Sequence, residues 1–293
     1  MNKWFKFFVV VLTIFGLSVV LTPPIYKLLP VFKFEQIFNR LIMVFSVLSA
    51  VLFVILPNLK KGSSLLGKGI WREYGFDFST PWKKLFFCGF LFGAITVAFM
   101  VLVEVKFGPA SSKSGITFVK VYSWFIRGII NGTIVGIIEE FFFRGFIYQM
   151  LNRKLNVPLS IFLASAFYSL VHFLDNGQIF VPSNPTFRDA IRLLFGYLEP
   201  FAYRLHDVIF EFIGLFLFGA VLNLAFVRTR TLFLSIGIHA GTVFLIKFQH
   251  AFVESGPEIY RPFYGNTPYY DGPFEWLALL ILGWMIWQLG RAD

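Results

Sequence analysis

The stretch IINGTIVGIIEEFFFRGFIYQML, residues 129–151, places Glu139, Glu140 and Arg144 inside an apolar run long enough to span a membrane. A carboxylate at membrane depth is energetically costly unless it is paired or faces a wet cavity. Ionisable groups gathered in such a run therefore indicate a functional site.

The spacing of these groups gives the two glutamates different neighbours on the helix. Glu140 and Arg144 stand four residues apart, which stacks their side chains on one face of an α-helix and predicts an ion pair within the helix. Glu139 points about 100° away from Glu140 around the helix axis, so it does not share this partner. A carboxylate held apart in a low-dielectric site is suited to accept and return a proton.

The composition is that of an integral membrane protein, with 57% hydrophobic and only 14% charged residues, against roughly 25% charged in soluble domains. Helical windows of about twenty apolar residues can cross a hydrocarbon core about 30 Å thick. Such windows lie at 7–26, 41–59, 85–103 and 155–174, shorter ones follow at 212–227, 231–246 and 276–290, and the glutamate-bearing stretch at 118–151 is added to them. We therefore predict an all-α, polytopic membrane helix bundle of about eight transmembrane helices, in a single membrane domain over residues 1–293.

The connections between these windows are predicted to be loops. The longer ones, at 58–84, 104–117, 175–207 and 249–275, are long enough to fold over the mouth of a bundle as caps. The only cysteine, Cys88, excludes an internal disulfide and a cysteine metal cluster.

The net charge of +10 does not indicate nucleic-acid binding, because the basic residues lie between the spans and not on one soluble surface. The positive-inside rule is the better explanation. Many basic residues cluster in the loop 58–84, and further ones lie in the turns at 153–154 and 228–230. We therefore predict a multi-pass protein with a cytoplasmic N-terminus, in the plasma membrane if the host is prokaryotic. The first window lacks a small-x-small cleavage site, so it is predicted to be an uncleaved span.

Two histidines, His172 and His239, also lie inside apolar windows. At about 1.5 Å per residue, Glu139, His172 and His239 fall roughly 20, 24 and 14 Å from the predicted cytoplasmic turns. The three groups could bind a zinc ion that carries a water. Alternatively, without metal, the carboxylate and one histidine could activate a water while the other histidine stabilises an oxyanion. No HExxH motif is present, so the cofactor prediction is none or zinc.

Three motifs carry a resemblance to a known family. The run Glu139-Glu140-Phe-Phe-Phe-Arg144 resembles the EExxxR motif of the CPBP family, which includes the type II CAAX prenyl endopeptidases and the Abi and bacteriocin-processing proteins. The run YSLVH looks like the family's FxxxH motif, with Tyr168 in place of Phe and His172 as its histidine. The run IHAG at 238–241 resembles the segment around the histidine of HxxxN, here His239. The resemblance covers about 118–246.

The resemblance implies an intramembrane endopeptidase, a hydrolase and possible metalloprotease. Its substrate would be a prenylated C-terminus or another membrane-associated peptide, and its other partner membrane lipid. The family pattern implies that Glu139 activates the water with help from His172 and that His239 stabilises the oxyanion. It also implies that Glu140 and Arg144 hold their helix in register.

The chain departs from the HxxxN pattern four residues after His239, where Val243 stands in place of Asn. Valine cannot donate a hydrogen bond, and losing one oxyanion donor costs about 10² to 10³ in rate. Thr242 and Asn223 are alternative donors nearby in the sequence.

Two further hypotheses follow. A non-catalytic membrane scaffold or immunity-type protein of the same fold would not need the missing donor. A transporter is the third hypothesis, since intramembrane carboxylates and histidines also build proton relays. The absence of a visible repeat in the hydropathy pattern speaks against transport.

Overall fold

The computed structural model describes residues 3–60, 68–108, 110–173, 179–197, 205–254, 261–264 and 271–289. The chain forms two compact units, Met1–Leu65 with His172–Val208, and Leu66–Val171 with Ile209–Asp293. The prediction of one membrane domain over residues 1–293 stays a prediction.

The described residues are almost entirely helical, which confirms the all-α fold class. The first unit contains α1 (Lys3–Leu28), α2 (Phe34–Lys60) and α8 (Phe187–Gly196). The second unit contains all or most of α3 (Lys68–Glu73), α4 (Trp82–Phe107), α5 (Phe118–Glu140), α6 (Gln149–Asn152), α7 (Val157–His172), α9 (Leu205–Thr229), α10 (Phe233–Phe248), α11 (Arg261–Tyr264) and α12 (Pro273–Gln288). A π-helical segment, Phe141–Tyr148, joins α5 to α6, and a 3₁₀ turn, Gln249–Ala251, follows α10. A two-residue antiparallel ladder pairs β1 (Ser111–Ser112) with β2 (Val253–Glu254).

Each predicted membrane window overlaps one of these helices. Within the described part of the chain, four segments are long and apolar enough to cross a membrane: Val9–Leu28, Trp82–Phe107, Phe118–Asn152 and Ile209–Thr229. The helix Val157–His172 is apolar but shorter. The polytopic helical fold is thus confirmed, and the count of eight spans stays a prediction.

The prediction of a loop over 175–207 is wrong for its central part, which forms α8. Asp189 Oδ2 accepts hydrogen bonds from the Thr186 backbone N–H at 2.8 Å and from the Thr186 hydroxyl at 2.9 Å. This reciprocal cap satisfies the first turn and starts the helix. Residues 175–178 and 198–204 of that predicted loop, and 255–260 and 265–270 of the loop at 249–275, lie outside the described residues.

The second unit is organised by glycines that bring α5 against α10. Gly128, Gly132 and Gly136 recur every fourth residue on one face of α5. A Cβ on Gly132 would lie 2.5 Å from the Ala240 carbonyl oxygen, and one on Gly128 would lie 2.9 Å from the Phe244 carbonyl oxygen. Small residues at this spacing let two membrane helices meet backbone to backbone.

The opposite side of α10 meets α4 in the same way. Gly237 and Gly241 of α10 lie against the backbone of Phe86 and Phe90 of α4. A Cβ on Gly93 of α4 would lie 2.8 Å from the backbone nitrogen of Thr242. Helix α10 is therefore held between α4 and α5 by main-chain contact on both sides, which fixes the position of the histidine it carries.

We expect Gly132→Ala to destabilise the protein, because the new Cβ collides with backbone that no side-chain rotation can move. Overpacking of this kind costs about 1–3 kcal/mol, more than the helix propensity that alanine gains. Gly16→Ala in α1 is the matched control, since nothing lies within 4 Å of its Cβ position. Thermal unfolding in detergent should show a lower midpoint for Gly132→Ala alone. Equal midpoints for both variants would contradict the close contact of α5 with α10.

Candidate functional site

The glutamates lie where α5 changes into the π-helical segment. Glu140 is the last residue of α5, and Arg144 lies within the segment Phe141–Tyr148. Phe141 packs its ring against Trp71, Tyr74 and Phe76 in the second unit. Short π-helical turns inside α-helices are frequent at functional sites, because the wider turn redirects side chains.

Glu140 and Arg144 form the ion pair that their spacing predicts. Arg144 Nη1 lies 2.9 Å from Glu140 Oε1, and both side chains are fully buried. Arg144 Nη2 donates to the Gly219 carbonyl oxygen of α9 at 3.0 Å. The guanidinium also lies over the Tyr168 ring, 4.7 Å from its centroid. A buried charge needs such partners, since its desolvation is otherwise uncompensated.

His239 of α10 joins the same carboxylate. Its Nδ1 lies 2.9 Å from Glu140 Oε1, so a ring proton on Nδ1 can be donated to the carboxylate. The ring packs edge to face against Phe218 at 5.5 Å and Tyr168 at 6.5 Å. With Nδ1 directed at Glu140, Nε2 is the ring nitrogen left for chemistry.

Glu139 differs from Glu140 in exposure. Its side chain is 27% exposed, whereas that of His239 is 4% exposed and that of Glu140 is fully buried. Glu139 Oε2 lies 3.8 Å from His239 Nε2. Two atoms at this separation can both contact one water at ordinary hydrogen-bond lengths of about 2.8 Å. The site thus combines a buried network with one carboxylate at its open edge.

His172 is the last residue of α7, and it is exposed. It belongs to the first unit, whereas Glu139, Glu140, Arg144 and His239 belong to the second. The assignment of His172 to the same site stays a prediction.

The two alternative donors nearby lie against other helices. Asn223 of α9 is buried and donates from Nδ2 to Ser165 Oγ of α7 at 3.0 Å. The Thr242 hydroxyl faces α4, 2.8 Å from where a Gly93 Cβ would be. Val243 itself is half-buried on α10.

Sequence reasoning gave no role to three groups that surround the charges: Tyr168, Phe218 and the carbonyl of Gly219. Tyr168 stands at the first position of YSLVH, which could have marked it as a neighbour of the site. No signal pointed to Phe218 or to the Gly219 carbonyl, because their contacts depend on how α9 packs.

The prediction of no cofactor or zinc stays a prediction. Catalytic zinc is usually bound by three protein ligands, and among the described residues no group of three His, Cys, Asp or Glu that could hold a metal ion is found. His172, one of the three possible ligands, belongs to a different unit from Glu139 and His239.

Comparison with known families identifies one segment. Residues 121–245 match the family model described as "Type II CAAX prenyl endopeptidase Rce1-like". The segment contains all three motifs, and it confirms the predicted relation to the CPBP/CAAX protease family. No curated protein and no solved structure matches the chain in the corresponding comparisons.

We expect Glu140→Gln to lower the stability strongly, because Arg144 would remain buried without its carboxylate. Breaking a buried pair in this way costs about 3–5 kcal/mol. Glu73→Gln is the matched control, since the Glu73–Arg153 pair is exposed, with side-chain exposures of 47% and 57%, and exposed pairs contribute about 0–1 kcal/mol. Thermal unfolding of both purified variants measures the difference. A midpoint for Glu140→Gln as high as that of the control would show that the buried pair is not needed for stability.

Proposed function

Since residues 121–245 match the family model of the type II CAAX prenyl endopeptidases, we propose that this membrane protein is an intramembrane endopeptidase that hydrolyses membrane-associated peptides. The observation that carries the proposal is the convergence of Glu139 Oε2 and His239 Nε2, 3.8 Å apart, beside the buried Glu140–Arg144 pair. Such a pair can bind one water beside a scissile carbonyl group.

Glu139 is the general base in this proposal. Its carboxylate accepts a proton from the water while the water oxygen bonds to the carbonyl carbon, and His172 assists by orienting the water. The proton then passes to the leaving amine as the carbon–nitrogen bond breaks. The Glu139 side chain is 27% exposed, although its Oε2 atom beside His239 is itself buried, so the water would be held away from bulk solvent.

His239 stabilises the oxyanion that forms on the carbonyl oxygen. It donates from Nε2 when the ring carries both protons, and the Glu140 carboxylate at Nδ1 then balances the positive charge. Glu140 and Arg144 are positioning residues. They hold His239 in its orientation, and Arg144 ties the π-helical segment to the Gly219 carbonyl.

The substrate proposed for this site is a prenylated or unmodified peptide held at the membrane. The glutamates lie on the segment Phe118–Asn152, which is long and apolar enough to cross a membrane, so the peptide would reach them from the lipid phase. We propose a cytoplasmic N-terminus and, in a prokaryotic host, the plasma membrane as the location.

A non-catalytic scaffold is the second candidate function. Val243 in place of the family Asn supports it, as does the Glu140 network, which can tie α5, α9 and α10 together without any reaction. Catalysis is favoured because Glu139 places a second carboxylate, on a partly exposed side chain, 3.8 Å from His239 Nε2.

We expect Glu139→Gln and His172→Ala to abolish peptide cleavage while the unfolding midpoint stays close to that of the wild type. Both residues are proposed to activate or orient the attacking water, and neither is given a role in helix packing. Prenylated and unmodified peptides, incubated with the purified protein with and without a chelator, provide the assay. The matched controls are Glu73→Gln and His250→Ala, which should keep their activity.

Wild-type activity in Glu139→Gln would overturn the assignment of the base. If neither the wild type nor any variant cleaves a peptide, and the cellular phenotype is unchanged in Glu139→Gln, the scaffold function would stand instead of catalysis. Loss of activity with the chelator would contradict the metal-free reaction.

We expect Val243→Asn to raise kcat by about 10- to 100-fold with little change in KM. The new amide lies one helical turn from His239 and adds a donor that acts only on the transition state. Val243→Leu is the matched control, because it has a similar branched shape without a donor. An unchanged kcat in Val243→Asn would show that another group already fills this position, and Asn223→Ala should then be the damaging change.

A further inference from the structure

Helix α8 of the first unit presents three distinct faces. Asp189, Ala190 and Leu193 are buried against the unit's core. Phe187, Ile191 and Phe195 recur every fourth residue and form an exposed apolar stripe, with exposures of 52%, 44% and 67%. Arg188 and Arg192, also four residues apart, form an exposed basic row beside that stripe. An apolar stripe next to a basic row is typical of helices that lie in the membrane interface.

The turn between α1 and α2 has a similar surface. The candidate span of α1 ends at Leu28, and Leu28, Leu29, Val31 and Phe32 are all exposed. Because the chain leaves one helix here and enters the next, this turn marks the boundary of the membrane in the first unit.

Helix α8 packs beside this turn. Ala190, Leu193 and Tyr197 share one buried cluster with Phe34 and Phe38, which lie in the first turns of α2. The Tyr197 hydroxyl donates to Asn39 Oδ1 at 2.7 Å. Helix α8 therefore packs beside the start of α2, and Tyr197 at its C-terminal end also contacts α1, with its ring centroid 6.4 Å from that of Phe15.

The charges around these two surfaces are mostly positive. The exposed basic side chains are Lys27, Lys33, Arg40, Arg188 and Arg192. Among the residues of this unit that the structure describes, the acidic ones nearby are Glu35, which is half-buried, and Asp189, which is buried and engaged in the helix cap. Arg192 lies 3.6 Å from Asp189 but keeps a side-chain exposure of 56%. A basic surface of this kind is complementary to anionic lipid headgroups.

We propose that α8 and the turn between α1 and α2 form one docking surface for the headgroups of anionic phospholipids. The α8 stripe lies at the level of the upper acyl chains, and the basic row contacts lipid phosphates. This surface lies in the first unit and does not depend on the proposed peptidase function.

Site-directed spin labelling tests the placement of α8. Because Cys88 is the only cysteine, a Cys88→Ser background accepts single cysteines by Phe187→Cys, Ile191→Cys, Phe195→Cys and Arg192→Cys. In liposomes of phosphatidylcholine and phosphatidylglycerol, labels on the stripe should collide more with oxygen than with a water-soluble nickel complex, and the label at 192 should show the reverse. Equal aqueous accessibility at all positions would overturn the proposal. Dipolar broadening between stripe labels on two protein molecules would also overturn it, because the stripe would then contact a second copy of the chain.

Thermal unfolding in lipid nanodiscs tests the headgroup. Replacing part of the phosphatidylcholine by phosphatidylglycerol should raise the wild-type midpoint, and the double variant Arg188→Gln/Arg192→Gln should lose about half or more of that rise. The double variant Lys83→Gln/Lys84→Gln, at exposed positions of α4, is the matched control and should keep it. Inorganic phosphate added to phosphatidylcholine discs should have no effect. A rise that survives in the α8 variant, or that phosphate reproduces, would overturn the proposal.

Discussion

A single carboxylate oxygen, Oε1 of Glu140, holds the site together. It receives Arg144 Nη1 and His239 Nδ1, each at 2.9 Å, in surroundings without solvent. Through Arg144 it connects the π-helical segment to the Gly219 carbonyl of α9, and through His239 it connects that segment to α10. The orientation of the histidine, the register of the glutamate-bearing helix and the packing of α9 therefore depend on the same negative charge.

Adjacent positions on a helix allow two identical residue types to serve opposite purposes. Glu140 faces the bundle interior and is fully buried, whereas Glu139, rotated away by about one hundred degrees, keeps a quarter of its side chain exposed. The first is a structural charge whose partners are all protein groups. The second is the only carboxylate of the pair that a substrate could approach. The double glutamate thus separates the support of the site from its chemistry.

Local rules predicted the Glu140–Arg144 pair, because its geometry depends only on a four-residue spacing. The contact of His239 with Glu140 joins residues far apart in the chain, and it could be anticipated only from similar depth and from the family motifs. The π-helical form of Phe141–Tyr148, the Gly219 carbonyl and the Tyr168 ring were not predicted, since they depend on how neighbouring helices pack. Helix α8 was missed although the Thr186–Asp189 cap was visible in the sequence, because the charged row interrupted its apolar pattern.

The main-chain contacts of α10 with α4 and α5 have a consequence for how the protein responds to its bilayer. Helices separated by long side chains can slide past one another when the lipid thickness changes, whereas helices in backbone contact tilt together. Gly132 and Gly93 lie on the two sides of α10, so we expect its histidine and the glutamates of α5 to shift together. Such a coupled shift would keep the distance between Glu139 and His239 nearly constant in bilayers of different thickness.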